Sequence, residues 1–173
     1  DPGEEGRHKA PTPLKVQTPI FVASLPKSGT TSIWQYFNCG ARTSSHQWVK
    51  RNSTHDAVPS GLCIRENLRN HLPPLTDCGD YDVYTDTGYA GFVSPNVSDC
   101  YYPSISALPT LYEQYPNATI ILITRNSTSW LRSMQAWGNG SLLKRWKNCN
   151  LISHVTTKQL SPAEAGDFAA FYE

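Results

Sequence analysis

The stretch of residues 19–37 constrains the fold of this chain more than any other part of the sequence. It begins with an apolar run at residues 20–23, which is typical of a short buried strand. A polar loop follows, and apolar residues then recur at helical spacing between Ile33 and Phe37. In this order, the free N–H groups and the positive end of the helix dipole lie beside the loop. The sequence therefore predicts a binding site for phosphate or sulfate.

The loop carries the residue types that such an anion site needs. Lys27 supplies a positive charge, Gly29 lets the backbone approach a ligand, and the hydroxyls of Thr30, Thr31 and Ser32 can donate hydrogen bonds. It is not a Walker A loop, because Lys27 precedes the only glycine. This argues against a nucleotide-dependent kinase or NTPase, which stays as an alternative enzyme class. The structural alternative is an ordinary strand-to-helix turn rich in small polar residues.

Strands and helices alternate along the rest of the chain, which predicts an α/β fold with a mainly parallel sheet and helices on both faces. Further strands are predicted at residues 41–45, 81–85 and 119–124, the last as the clearest buried strand. Helices are predicted at residues 105–115 and 130–137 and from Ser161 to the chain end.

Two segments fall outside this alternation. Residues 1–18 are rich in proline and charge, which predicts a flexible lead-in before one domain over residues 19–173. Residues 50–80 are polar and turn-rich, with a weak helical period at residues 62–72. We interpret them as an insertion that either shapes an acceptor pocket or forms a disulfide-tied surface loop.

Four charged or titratable residues are predicted to meet at one edge of the sheet. Ligands of such sheets bind beyond the carboxyl ends of the strands. Lys27, His46, Asp86 and Arg125 all follow predicted strands. His46 and Asp86 are each a candidate general base, and the sequence does not choose between them. Each also has a structural interpretation, as a buried histidine or as an aspartate that caps a turn.

Two motifs resemble those of one enzyme family. Residues 26–32 (Pro-Lys-Ser-Gly-Thr-Thr-Ser) resemble the 5′-phosphosulfate loop of sulfotransferases, which have a P-loop-NTPase-like fold and use 3′-phosphoadenosine 5′-phosphosulfate (PAPS). Arg125 at a strand end, with Ser133 eight residues later, resembles the element that holds the 3′-phosphate of PAPS in that family. A guanidinium and a hydroxyl are good partners for a phosphate dianion. The resemblance covers about residues 19–149 and is to a eukaryotic branch.

The resemblance implies in-line sulfuryl transfer from PAPS to a hydroxyl or amine of an acceptor, either a carbohydrate or a small molecule. It implies that Lys27 stabilises charge on the bridging oxygen, and that Arg125 and Ser133 hold the 3′-phosphate. It also implies a 5′-phosphate site made by Ser28, Gly29, Thr30, Thr31 and Ser32.

The chain departs from the family pattern in two respects. A late Arg-Lys-Gly element of many cytosolic members is absent, and the chain is shorter than a usual domain of the family. We therefore expect a C-terminally truncated or a minimal domain. The non-enzyme alternative is a catalytically silent, glycosylated binding domain.

Composition bears on partners and compartment. With 15 basic and 14 acidic residues, the chain has no electrostatic footprint for nucleic acid. No apolar run reaches the roughly 18 residues of a membrane span, although an anchor upstream of Asp1 is compatible with the sequence.

Cysteines and glycosylation sequons favour the Golgi lumen or secretion. The five cysteines show no spacing typical of a metal site, and one or two disulfides are expected, with Cys39 unpaired. The alternative is a cytoplasmic protein with free thiols. Asn-x-Ser/Thr sequons stand at Asn52, Asn96, Asn117, Asn126 and Asn139.

Overall fold

The computed structural model describes Pro13 and residues 15–149. The described part alternates strands and helices. Its elements, in chain order, are β1 (Ile20–Val22), α1 (Thr30–Cys39), β2 (Ser44–His46), β3 (Trp48–Lys50), β4 (Ala57–Pro59), α2 (Ser60–Arg69), β5 (Val83–Thr85), β6 (Tyr89–Ser94), β7 (Val97–Tyr101), α3 (Pro103–Ser106), α4 (Leu108–Gln114), β8 (Thr119–Ile121), α5 (Ser127–Ala136), a 3₁₀ turn (Trp137–Gly140) and α6 (Ser141–Asn148).

Six strands form the main sheet in the order β4-β3-β2-β5-β1-β8. The four strands β2, β5, β1 and β8 run parallel, whereas β3 and β4 are antiparallel additions beside β2. In the register, Ile20 pairs with Val83 on one side and with Thr119 on the other. The prediction of an α/β fold with a mainly parallel sheet is confirmed.

Helices cover both faces of this sheet, as predicted. Successive residues of a strand point to opposite faces. Ile20 and Val22 therefore pack with Phe37 of α1, whereas Phe21 packs on the other face with Leu111 of α4. Both faces of β1 are apolar because both are buried against other side chains.

The strand near residue 120 differs from its prediction. The sequence predicts a buried strand over residues 119–124, but β8 ends at Ile121, and 71% of Leu122 is exposed. In the described part of the chain, β8 has a hydrogen-bonded strand neighbour on one side only, which is β1. An apolar run can therefore lie at a sheet edge, and the expectation that this strand is buried was wrong.

Residues 50–80 are more ordered than their polar composition suggests. They contain β4 and the ten-residue helix α2. The sequence predicted this helix only weakly, with a start at residue 62, two residues after its start in the structure. Cys63 and Ile64 of α2 are buried, and a disulfide joins Cys63 to Cys78.

Sequence reasoning missed the β6–β7 hairpin and α6, which pack together and are joined by a disulfide between Cys100 and Cys149. Cys39 is the unpaired cysteine, as expected. None of the helices in residues 15–149 combines the length and the apolar character that crossing a membrane requires. The helix predicted from Ser161 and most of the predicted lead-in lie outside the described residues.

Candidate functional site

The loop between β1 and α1 has the geometry of an anion site. Gly29 adopts a left-handed conformation with a φ of 114° immediately before the helix. A Cβ there would have room, so the backbone conformation is what favours glycine. The carbonyl of Gly29 accepts hydrogen bonds from the N–H groups of Ser32 and Ile33, at 3.0 and 3.3 Å. The N–H groups of Thr30 and Thr31 precede these and have no partner within the helix.

Two hydrogen bonds from the segment that contains the end of β8 and α5 hold this loop in place. The indole of Trp130 donates to the carbonyl of Pro26 at 2.8 Å, and the guanidinium of Arg125 donates to the carbonyl of Lys27 at 2.8 Å. These bonds join α5 and the end of β8 to a loop about a hundred positions earlier. They bring Arg125 to the anion loop and leave it with further N–H donors.

A cleft of about 590 Å³ opens beside the loop. It brings together most of the residues that the sequence singled out, and its lining includes Lys27, Gly29, Thr30, Thr31, His46, Asp86, Arg125 and Ser133. Ser28 and Ser32 are not among the described residues that line it. The side chain of Ser28 is buried, whereas Ser32 is exposed on α1.

Hydrogen bonds fix the protonation pattern of His46, which ends β2. The hydroxyl of Thr85 donates its only proton to the carbonyl of Ser45 at 2.8 Å. Its oxygen must therefore accept the 3.0 Å hydrogen bond from Nδ1 of His46, which places the imidazole proton on Nδ1. The Nε2 atom then carries a lone pair and accepts from the hydroxyl of Thr31 at 3.2 Å. The indole of Trp34 stacks on the imidazole, with 5.4 Å between ring centroids.

Asp86 lies beside His46 at the end of the neighbouring strand β5. It is 6% exposed, and one of its carboxylate oxygens accepts a hydrogen bond from the Gln47 amide at 2.9 Å. Burial raises the pKa of Asp86, and the bond from Gln47 opposes that rise. Burial lowers the pKa of His46, which the Asp86 carboxylate counteracts and the Lys27 cation reinforces. His46 is therefore neutral at neutral pH.

The backbone is strained where these side chains meet. Lys27, Gln47 and Asp86 all have positive φ angles, of 67°, 63° and 48°, and all three line the cleft. Left-handed backbone is uncommon for residues other than glycine and tends to occur at functional sites. At the ends of β2 and β5, it turns Gln47 and Asp86 into contact with each other.

Aromatic side chains and one arginine line the rest of the cleft, which we call the far wall. It is formed by side chains from β3, the β6–β7 hairpin, the 3₁₀ turn and α6, and it includes Trp48, Tyr89, Trp137, Leu142 and Arg145. Trp48 follows the strand predicted at residues 41–45, and Trp137 ends the helix predicted at residues 130–137. The sequence did not indicate that Trp137 or Arg145 would line a cleft, because their position depends on the packing of α5 and α6.

The roles of Thr85 and Gln47 were also missed, although both adjoin a candidate base in the sequence. Inspection of the residues next to each candidate base could have found them. Within residues 15–149, no group of three or more His, Cys, Asp or Glu side chains is arranged to hold a metal ion.

Comparison with known proteins identifies the family. A family model described as sulfotransferase domain matches residues 19–164, which is well over half of the chain. Searches of curated proteins and of solved structures gave no match. The matched region contains both motifs and the whole cleft. The chain belongs to the sulfotransferase domain family, and it is a transferase of sulfuryl groups.

Proposed function

We propose that this protein transfers a sulfuryl group from PAPS to a hydroxyl of a carbohydrate acceptor. One observation carries the proposal. The loop before α1, the guanidinium of Arg125 and a neutral histidine whose Nε2 lone pair accepts a hydrogen bond from Thr31 line one cleft. A turn of purely structural importance would not need a histidine held in one tautomer beside it.

The residues of the cleft fit the two charged ends of PAPS. The N–H groups at the start of α1 and the hydroxyls of Thr30 and Thr31 suit the 5′-phosphosulfate. Arg125 and Ser133, which also line the cleft, suit the 3′-phosphate. PAPS supplies the sulfuryl group when bound, and adenosine 3′,5′-bisphosphate is the product that leaves.

The transfer is a displacement at the sulfur atom of PAPS. The acceptor oxygen forms a bond to sulfur, the bond between sulfur and the bridging oxygen breaks, and its electron pair stays on the phosphate. His46 takes the acceptor's proton on Nε2, so a sulfate ester, the bisphosphate and an imidazolium result. Lys27 lines the cleft and acts electrostatically on both His46 and Asp86. Its charge stabilises the negative charge that develops on the leaving oxygen.

We assign the base to His46 rather than to Asp86. The lone pair on Nε2 of His46 accepts a hydrogen bond from Thr31 in the first turn of α1, where we place the 5′-phosphosulfate of the donor. Asp86 is almost fully buried and accepts a bond from Gln47, so its carboxylate is less accessible to an acceptor. Its charge stabilises the imidazolium instead, since it raises the pKa of His46.

The far wall supports a carbohydrate as the acceptor. Trp48 and Trp137 are 53% and 38% exposed, although both line the cleft with Tyr89. Exposed aromatic faces can pack against the CH face of a sugar ring, while the hydroxyls of the sugar stay hydrated. The alternative, a small phenolic acceptor, would favour a deeper and more enclosed apolar pocket.

A transfer assay tests the proposal. With ³⁵S-labelled PAPS, the protein is expected to label an oligosaccharide acceptor, and adenosine 3′,5′-bisphosphate is expected to raise the melting temperature more than ATP does. At 100 times its dissociation constant, a ligand stabilises the fold by about 2.7 kcal/mol. Binding of the bisphosphate without any labelling would favour a silent binding domain. Greater stabilisation by ATP would favour a kinase or NTPase.

We also propose that the protein matures in the Golgi lumen or is secreted, since two disulfides fit an oxidising compartment. Expressed in a secretory host, it is expected to carry glycans on the exposed Asn52, Asn96 or Asn139. Asn126 is expected to stay bare, because its side chain caps α5 by accepting from Ser129 at 3.1 Å, next to Arg125. Peptide mass spectrometry before and after deglycosylation checks this. A glycan on Asn126 in active protein would count against the phosphate site.

A further inference from the structure

Arg145 is held rigidly in the wall of the cleft. Its guanidinium lies over the ring of Phe92 at 5.1 Å and over the ring of Trp137 at 5.8 Å. One of its terminal nitrogens donates to the carbonyl of Ala90 at 3.1 Å. Contacts from the hairpin and from the 3₁₀ turn therefore fix the plane of the guanidinium before any ligand binds.

Arg145 has no counterion among the residues that the structure describes. In the part of the chain that the structure describes, ion pairs involve Arg42, Arg51 and Arg65, but none involves Arg145. Its Nε atom is buried and has no hydrogen-bond partner among the described residues. A buried donor without a partner is costly, and a charge that loses hydration needs compensation. The terminal nitrogens keep N–H groups beyond the one that bonds to Ala90, so donors remain for a carboxylate in the cleft that Arg145 lines.

Arg145 lines the cleft beside the exposed aromatic side chains that we propose for the acceptor. It contacts Ala90 and Trp137, whereas the proposed phosphate partners are the loop before α1, Arg125 and Ser133. Arg145 also acts electrostatically on Tyr102. Burial raises the pKa of Tyr102, the Asp86 charge raises it further, and the Arg145 charge lowers it. Tyr102 is thus within the electrostatic reach of both Asp86 and Arg145.

From this geometry, and resting on the proposed function, we propose that Arg145 binds the carboxylate of an acidic sugar in the acceptor. The exposed faces of Trp48 and Trp137 would pack against the ring of the sugar, and the terminal N–H groups of Arg145 that Ala90 does not occupy would select a uronate over a neutral hexose. Specificity of this kind arises because a neutral sugar would leave the Arg145 guanidinium in the cleft without a partner, which costs binding free energy.

The test uses two matched acceptors. One is an unsulfated tetrasaccharide of alternating glucuronate and N-acetylgalactosamine, and the other is the same tetrasaccharide with its carboxyl groups reduced to alcohols. The wild-type protein is expected to sulfate the acidic form with a kcat/KM roughly 10- to 100-fold higher, the range for a charged hydrogen bond. Arg145→Gln should bring the ratio of kcat/KM for the acidic to the reduced acceptor close to one, mainly by raising the KM for the acidic acceptor. Arg145→Lys should restore part of this ratio.

Lys144→Gln is the matched control. Lys144 is exposed on the same helix and lies over the same Phe92 ring at 5.5 Å, but it is not among the residues that line the cleft. It is expected to leave the ratio unchanged. Equal rates of the wild-type protein on both acceptors would overturn the inference and leave the proposed function standing, and this comparison does not depend on the folding of a variant.

Two other outcomes would also contradict the inference. A loss of bisphosphate affinity in Arg145→Gln, measured by calorimetry, would assign Arg145 to the donor instead. Labelling of neither acceptor would remove the carbohydrate function, and the inference with it. Binding of the bisphosphate in the same samples distinguishes this last outcome from an unfolded protein.

Discussion

Replacing His46 by asparagine is expected to lower turnover by roughly 10²–10⁴, the range for the loss of a general base. Asparagine can still donate to Thr85 as Nδ1 of His46 does, but it has no group that can take a proton at the position of Nε2. Bisphosphate affinity should change little, so kcat measured at saturating donor isolates the chemical step. Near-normal turnover in this variant would remove His46 from the mechanism.

The pH dependence of the rate distinguishes His46 from Asp86. Burial lowers the pKa of His46, so the rate should rise with pH through a pKa below the usual histidine value and be constant at neutral pH. The Asp86 charge raises this pKa. Asp86→Asn should therefore move the acidic limb to lower pH, with a smaller loss of rate than His46→Asn causes. If Asp86→Asn instead causes the greater loss of rate and abolishes the rise of the rate with pH, then Asp86 is the base.

Lys27→Ala is expected to reduce turnover by roughly 10²–10³, the range for loss of one group that stabilises an oxyanion. Bisphosphate affinity should fall less, because backbone N–H groups at the start of α1 still bind the 5′-phosphate. The Lys27 cation also lowers the pKa of His46, so its removal should move the acidic limb to higher pH. Lys50→Ala, at an exposed position of β3, is the control. Equal effects of the two substitutions would exclude a specific role for Lys27.

The sequence predicted the centre of the fold and the part of the cleft beside the loop before α1, because both depend on local patterns. The order of strand, polar loop and helix at residues 19–37 is a single short segment. Lys27, His46, Asp86 and Arg125 follow four neighbouring parallel strands, so the topology alone brings them to one edge of the sheet. Ser133 lies in the cleft because it is on the helix that follows Arg125.

The far wall could not be predicted, because it is built from contacts between distant segments. The hairpin β6–β7 has several polar residues and no long apolar run, and its position depends on α6, about fifty positions later. Four paired cysteines allow three connectivities, so the bond between Cys100 and Cys149 does not follow from the sequence. The contact between Gln47 and Asp86 joins residues 39 positions apart, so no local pattern encodes it.

The central claim is that this cleft binds the two phosphates of the donor, and calorimetric titration of adenosine 3′,5′-bisphosphate into the wild-type protein and into Arg125→Ala tests it directly. Arg125 already donates to the Lys27 carbonyl and lines the cleft beside Ser133. We predict that the wild type binds and that Arg125→Ala weakens binding by about 1.5–3 kcal/mol, the range for a hydrogen bond to a charged group. A change of no more than a few tenths of a kcal/mol, which is typical of a surface ion pair, would contradict the assignment of Arg125 to the 3′-phosphate.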